Sequence, residues 1–193
     1  SIERREASED AVLSRCDYRP QTLVWGHHDG CLELRSPDGY ERLSYDFLLL
    51  AVGATDRLLP VPGWTLPGVF TLGGAQVALK RHASFVGRRV VFAGSSPLLY
   101  LAAAQYLRLG LTAITVLDTT PRAAKLRALP AMLRHDLQTT LQGLRLIAEL
   151  RGNGVAIHAG VSLRRIIGRE RVEAIAFKAA NKDETEIPCD AIA

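Results

Sequence analysis

No stretch of the chain stays apolar for the roughly 18 residues that a membrane-spanning helix needs, and the opening segment Ser1 to Asp10 is too charged for a secretory signal. Cysteine is scarce. Cys16, Cys31 and Cys189 are odd in number, far apart and never spaced Cys-x-x-Cys, which excludes a disulfide framework, a cysteine zinc site and a dithiol redox centre and suits a reducing cytoplasm. Lysine is rare too: of 24 basic residues 4 are lysine, and the arginines are interleaved with the 20 acidic residues instead of clustered. The charge of +4 therefore leaves no nucleic-acid footprint. His27, His28 and His158 are not spaced as a ligand set, and no Ser/His/Asp arrangement sits in a supporting motif. No catalytic side chain and no metal are assigned, so redox chemistry here would need a bound cofactor.

What is present is a chain of 193 residues, 48% apolar and 23% charged, enough to bury the core of one domain or one and a part. Its wealth of arginine suits forked contacts to an anionic ligand. The only methionine is Met132, and the chain runs from Ser1 to Ala193 with an apolar strand at its end. That pattern reads as a piece of a longer protein.

Short β-forming runs at Thr22–His27, Cys31–Ser36 and Tyr40–Tyr45, separated by Asp-Gly turns, predict a three-stranded meander. Asp46–Gly53 is a continuous apolar run that predicts a strand buried on both faces of a parallel sheet. Ala54–Thr71, with three prolines and two glycines, reads as an extended linker, and Gly73–His82 as a short helix. An α/β pattern follows. The expectation is a strand at Arg88–Ala93, a helix at Pro97–Leu109, a strand at Thr112–Leu117 and a helix start at Asp118-Thr119-Thr120-Pro121. Leu133, Leu137, Leu141, Leu144 and Ala148 predict one long amphipathic helix over about Ala131–Arg151. A strand at Val155–His158 and a hairpin of Leu163–Ile167 with Arg171–Lys178 complete the series. Glu41–Leu48 and Glu184–Ala191 share one design, a meander strand followed by Asp and an apolar strand, which suggests two similar domains, one threaded through the other.

The turn Gly94-Ser95-Ser96-Pro97-Leu98 lies between a strand and a helix, where a dinucleotide-binding loop belongs: a glycine for the tight turn, then free helix-start N–H groups that can face a pyrophosphate. Asp118, 24 residues on at the tip of the next strand, is placed to accept from adenine-ribose hydroxyls, which favours NAD over NADP; Arg122 is close enough to blur that preference. Ser96 and Leu99 stand where such turns usually carry glycine, so an ordinary crossover that binds nothing remains the alternative. Gly53, followed by Ala54 and Arg57, is a second candidate: it could let a nucleotide lie against the backbone, or simply end a strand.

Tyr45–Gly74, YDFLLLAVGATDRLLPVPGWTLPGVFTLGG, resembles the segment of two-domain flavoproteins in which an apolar strand ends in an Ala-Thr-Gly motif before the NAD domain. Its Ala-x-x-Arg-x-x-Pro-x-Pro-Gly-Trp-Thr-Leu-Pro-Gly-Val wording is similar to the FAD/NAD(P)-binding α subunits of opine oxidases, D-hydroxyproline dehydrogenase and hydrogen cyanide synthase, within the pyridine nucleotide-disulfide oxidoreductase-like flavoproteins. The resemblance implies an α/β, glutathione-reductase-like fold with two dinucleotide-binding domains, a Rossmann-type parallel sheet and β-meanders, truncated at both ends. It divides the chain into a partial FAD-binding part with its meander and linker, residues 1–86, and an NAD(P)-binding part, residues 87–193, whose last strand returns toward the FAD domain. FAD and NAD(H) are the implied cofactors, with Gly53, Ala54 and Arg57 on the flavin side and Gly94, Ser95, Ser96, Pro97, Leu98 and Asp118 on the nicotinamide-dinucleotide side. Val52 stands where the motif has Thr, and the family's glycine-rich FAD fingerprint is absent, so residues 1–193 are expected to hold FAD poorly and to be inactive alone. The missing cysteine pair matches the amine-oxidising branch. The implied function is that of one component of a cytoplasmic oxidoreductase, which handles an amine or amino-acid substrate through a partner subunit of a hetero-oligomer, with no nucleic acid and no transmembrane segment. The alternative is a degenerate nucleotide-binding module with a structural role in such a complex.

Overall fold

Two sharp Asp-Gly turns set the first sheet. The computed structural model describes residues 13–135, 137–179 and 183–193, and contacts divide the chain into Ser1–Gly53 and Ala54–Ala193. In the first unit, β1 (Leu23–His28), β2 (Cys31–Ser36) and β3 (Gly39–Ser44) form the expected antiparallel meander in the order β1-β2-β3. The expected buried strand at Asp46–Gly53 is not formed. These residues carry no regular structure, and Phe47 is 96% and Leu49 90% exposed. An apolar run becomes a strand only when a neighbouring strand takes its N–H and C=O groups, and none of the described strands pairs with it. Ser1–Asp10 lies outside the described residues.

The second unit is built on a four-stranded parallel sheet, in the order β10 (Ala191–Ile192), β4 (Val90–Gly94), β5 (Ile114–Asp118), β6 (Ala156–Ala159). Alternate residues of β4 serve opposite faces. Val90 and Phe92 pack with Leu99, Ala103 and Tyr106 of helix α2 (Leu98–Arg108), whereas Val91 joins Ile166, Ile175 and Phe177 of an antiparallel sheet, β7 (Val161–Ile167), β8 (Ala174–Ala179) and β9 (Glu184–Pro188). The sheet is therefore apolar on both sides, which is why its strands read as unbroken apolar runs. Both meanders end on a strand followed by an Asp, as the internal repeat suggested. Only the second copy continues into a paired strand, β10, the one expected to lead back toward the FAD domain.

Two expectations need correction. The described residues on either side of position 136 form the helices α3 (Arg122–His135) and α4 (Leu137–Gly152), and the leucine stripe expected over Ala131–Arg151 does not face the core: Leu137, Leu141, Leu144 and Ala148 are exposed. The face turned inward carries Thr140, Leu146, Ile147 and Leu150, set by packing against α2. The Leu133 side chain lies outside the described residues. The proline-rich segment is likewise no free linker. The carbonyls of Pro62 and Pro67 accept from Ile166 N–H at 2.7 Å and Val172 N–H at 2.9 Å, and Gly68 C=O accepts from Ile192 N–H at 2.9 Å. Proline has no N–H to lose but keeps its acceptor, so a segment rich in it can still strap onto β7, β10 and the turn before β8.

Helix α1 (Leu72–His82) follows, capped by Thr71, whose hydroxyl oxygen accepts from Gly74 N–H at 2.9 Å. Among the described residues no helix is long and apolar enough to cross a membrane.

Candidate functional site

The parallel register places Gly94, at the end of β4, level with Asp118, at the end of β5. The two tips are stitched together: Thr119 N–H donates to Gly94 C=O at 2.8 Å, and the Thr120 hydroxyl donates to Ser95 C=O at 3.1 Å. This is the carboxyl edge of a parallel sheet, where open α/β sheets bind their ligands. A cleft of about 250 Å3 opens there, lined by Gly94, Ser95 and Ser96, by Thr71 and Leu72 at the start of α1, and by Asp56, Arg57 and Trp64 of the strap. Asp56 is already engaged, its carboxylate accepting from Gly73 N–H at 2.6 Å.

A bound pyrophosphate can be tested against these residues. A Cβ built on Gly94 would meet no atom nearer than Leu99 Cδ1, at 3.9 Å, and Gly94 does not have a positive φ. Neither packing nor backbone conformation within the chain requires glycine there. A close ligand would require it, and the start of α2 lies directly behind, so the residues fit the group. Pro97 occupies the N-cap of α2, with the missing N–H and pre-set φ that suit a helix start. Ser95, Ser96, Pro97 and Leu98 are exposed. The Ser96 hydroxyl oxygen accepts from Leu98 N–H at 3.2 Å, taking up one of the donors that a helix start would otherwise offer a phosphate.

Asp118 is placed as expected, at the strand tip, yet it is 2% exposed. Its Oδ2 accepts from the Tyr100 hydroxyl and from the Lys125 ammonium, and Oδ1 accepts from Thr120 N–H at 2.8 Å. Lys125 Nζ also lies 3.1 Å from the Tyr100 hydroxyl. Burial pushes the Asp118 carboxyl up, but the hydrogen bonds from Lys125, Tyr100 and Thr120 outweigh it and hold the group below its ordinary value. For Lys125 burial pulls down, and its bonds to Asp118 and Tyr100 carry the ammonium above its ordinary value. Tyr100 and Lys125 were missed by sequence reasoning. The available signals were a phenol on the buried face of an alanine-rich helix and a lysine in the first turn after Pro121. The Arg122 side chain, expected to influence the same position, lies outside the described residues.

In the first unit Gly53 has φ +75, with nothing within 4 Å of where a Cβ would be. Its left-handed backbone favours glycine on its own account. Ala54 and Arg57, in the second unit, are exposed. The three cysteines are free, and burial, with Asp190 next to it, pushes the Cys189 thiol up to about 11. Cys189 therefore stays a thiol and behaves as a small apolar residue. His27 is hydrogen-bonded to the Tyr45 hydroxyl and His158 packs on Phe177. Among the described residues no group of three metal-ligating side chains assembles.

The family model described as pyridine nucleotide-disulphide oxidoreductase matches residues 19–193. The chain is 36% identical over 200 residues to a subunit of opine oxidase from Rhizobium meliloti, covering 97% of this chain and 37% of that protein. It is 34% identical over 160 residues to hydrogen cyanide synthase subunit HcnB of Pseudomonas aeruginosa, covering 82% and 34%. The chain thus spans little more than a third of the length of these relatives. Among solved structures, a NAD-dependent persulfide reductase from A. fulgidus superposes with a TM-score of 0.60 at 21% identity over 96% of this chain and 32% of that one. The bacillithiol disulfide reductase of Bacillus cereus superposes with a TM-score of 0.59 at 20% identity over 98% and 54%.

Proposed function

The chain belongs to the pyridine nucleotide-disulphide oxidoreductase family, and from that membership, which implies FAD and NAD(P)H as cofactors, we propose that it is part of an electron-transferring subunit of an amine- or amino-acid-oxidising enzyme. The observation that carries the nucleotide site is Gly94: an open glycine at the carboxyl edge of a parallel sheet, backed by a helix start and level with a carboxylate. Gly94, Ser95, Ser96, Pro97 and Leu98 would hold the pyrophosphate. Asp118 would mark the adenine ribose through Oδ1, which keeps acceptor capacity beyond the Thr120 N–H. Gly53, Ala54 and Arg57 belong to the flavin side of the same reading, with residues 1–86 serving FAD and 87–193 serving the nicotinamide dinucleotide.

When bound, the flavin and nicotinamide supply the hydride chemistry. The protein's part is placement. The start of α2 contributes a field worth about 0.3–1 kcal/mol per exposed charge, and the strap walls one side of the cleft. Both of the relatives described above are named as subunits, one of opine oxidase and one of hydrogen cyanide synthase, which supports placing the substrate site on a partner in a hetero-oligomer.

The test is the full-length protein, purified with and without its partner. It is expected to carry FAD, to pass electrons slowly from NADH to a dye when alone, and to oxidise amines only with the partner. Residues 1–193 alone should be colourless and inactive. A full-length protein that neither carries nor binds FAD would refute the flavoprotein reading, and amine oxidation without the partner would overturn the division of labour.

Ser96→Gly should tighten NAD(H) binding about threefold to tenfold, because it frees Leu98 N–H and removes a Cβ at the closest approach to the phosphates. Titration calorimetry on the full-length protein measures it. Unchanged or weaker binding would mean that the serine is itself a ligand.

A further inference from the structure

Asp118 sits where an adenine-ribose carboxylate belongs, but it is not the group this site shows to solvent. The Asp118 side chain is 3% exposed, and that of Lys125, bonded to Oδ2, is 38% exposed. The same Oδ2 also accepts from the Tyr100 hydroxyl, which lies 3.1 Å from Lys125 Nζ, and the ammonium rests 5.4 Å from the Tyr100 ring centroid. Three helix or strand ends converge on one carboxylate: α2 through Tyr100, β5 through Thr120 and α3 through Lys125. A carboxylate offers about four acceptor positions, and three are filled. A ribose diol that used both of its hydroxyls as donors would need two, so Lys125 or Tyr100 would have to give way.

A bare carboxylate discriminates against a 2′-phosphate by charge repulsion. Here that charge is matched by an ammonium one bond away, and the ammonium is the more exposed partner. A lysine is a compact cation with three donors on a flexible stem, so it can hold Asp118 with one N–H and offer another to an incoming phosphate oxygen. We infer that Lys125, and not the charge of Asp118, decides how this site treats the 2′ position of the adenosine, so that it accepts an adenosine carrying a 2′-phosphate. The inference rests on the nucleotide site proposed above.

The test uses two small probes and direct binding, with no turnover involved. Titration calorimetry on the full-length, flavin-loaded protein compares 5′-AMP with adenosine 2′,5′-bisphosphate. The wild type should bind the bisphosphate at least as tightly as 5′-AMP. Lys125→Met should weaken the bisphosphate by about tenfold or more, the loss expected for one charge-assisted hydrogen bond, and should not weaken 5′-AMP, whose ribose diol gains the acceptor position that Lys125 vacates. Lys125→Arg keeps the cation and should keep the bisphosphate bound, which also covers the case in which the Met variant fails to fold. If the wild type prefers 5′-AMP about tenfold or more and Lys125→Arg leaves that preference unchanged, the inference is wrong and the nucleotide site stands. If neither probe binds the wild type, the inference falls together with the site.

Discussion

Gly63→Ala should cost about 2–5 kcal/mol of folding stability, the sum of a left-handed backbone forced on a non-glycine residue and overpacking against main chain. Gly63 has φ +89, and a Cβ there would collide with the Ile166 carbonyl oxygen and lie 3.0 Å from both Ile166 C and Ile166 Cβ. The obstacle is backbone in β7, held in place by the Ile166 N–H bond to Pro62 at 2.7 Å, so it cannot swing aside as a side chain would. Only lifting the strap off β7 relieves the clash. That movement would widen the cleft, because Val61 and Trp64 of the strap and Ile166 of β7 all line it. Urea unfolding of the variant checks the energy. A loss below about 1 kcal/mol would mean that the strap is loosely held and can shift at little cost.

The parallel strands could be read from sequence because each is apolar on both faces, with helices on one side and an antiparallel sheet on the other. The meanders were readable because Asp-Gly turns fix where hairpins reverse. Asp46–Gly53 shows the limit of the same signal: the run is as apolar as β4, yet it stays exposed for want of a paired strand. Helix α4 shows another limit. Two apolar faces could be drawn on it, and only packing against α2 selects the one with Thr140 and Leu150 over the one with Leu141 and Leu144. At the site, local features carried their own evidence: Gly94 and Asp118 follow from the strand-turn-helix order. The partners of Asp118 did not, because Tyr100 is 18 residues before it and meets it only through the crossover geometry. The strap was misread for a related reason. Prolines and glycines announce irregular backbone, but not which sheet that backbone lies against.

Asp118→Ala should destabilise the second unit by about 2–4 kcal/mol at neutral pH, somewhat less than the 3–5 of breaking a fully buried ion pair, because Lys125 can return partly to water. Tyr100 is buried and would lose its carboxylate acceptor, a further reason for a large effect. The pH dependence has a definite sign. The folded Asp118 carboxyl lies below its ordinary value, so its contribution is present above the unfolded carboxyl's range of about 4 and disappears as pH falls through the lower folded value. Lys125 is held above its ordinary value, so its contribution is present below about 10 and is lost as pH rises through the higher folded value. The stability difference between wild type and Asp118→Ala should therefore be level from about pH 5 to 9 and shrink at both ends. Asp118→Asn separates charge from shape: it keeps an acceptor for Thr120 N–H and should recover part of the loss without the acid-side dependence. Urea unfolding at a series of pH values measures all three proteins. A difference that stays level down to pH 3 would show that the cluster is held by its hydrogen bonds and shape, with ionisation of Asp118 contributing nothing.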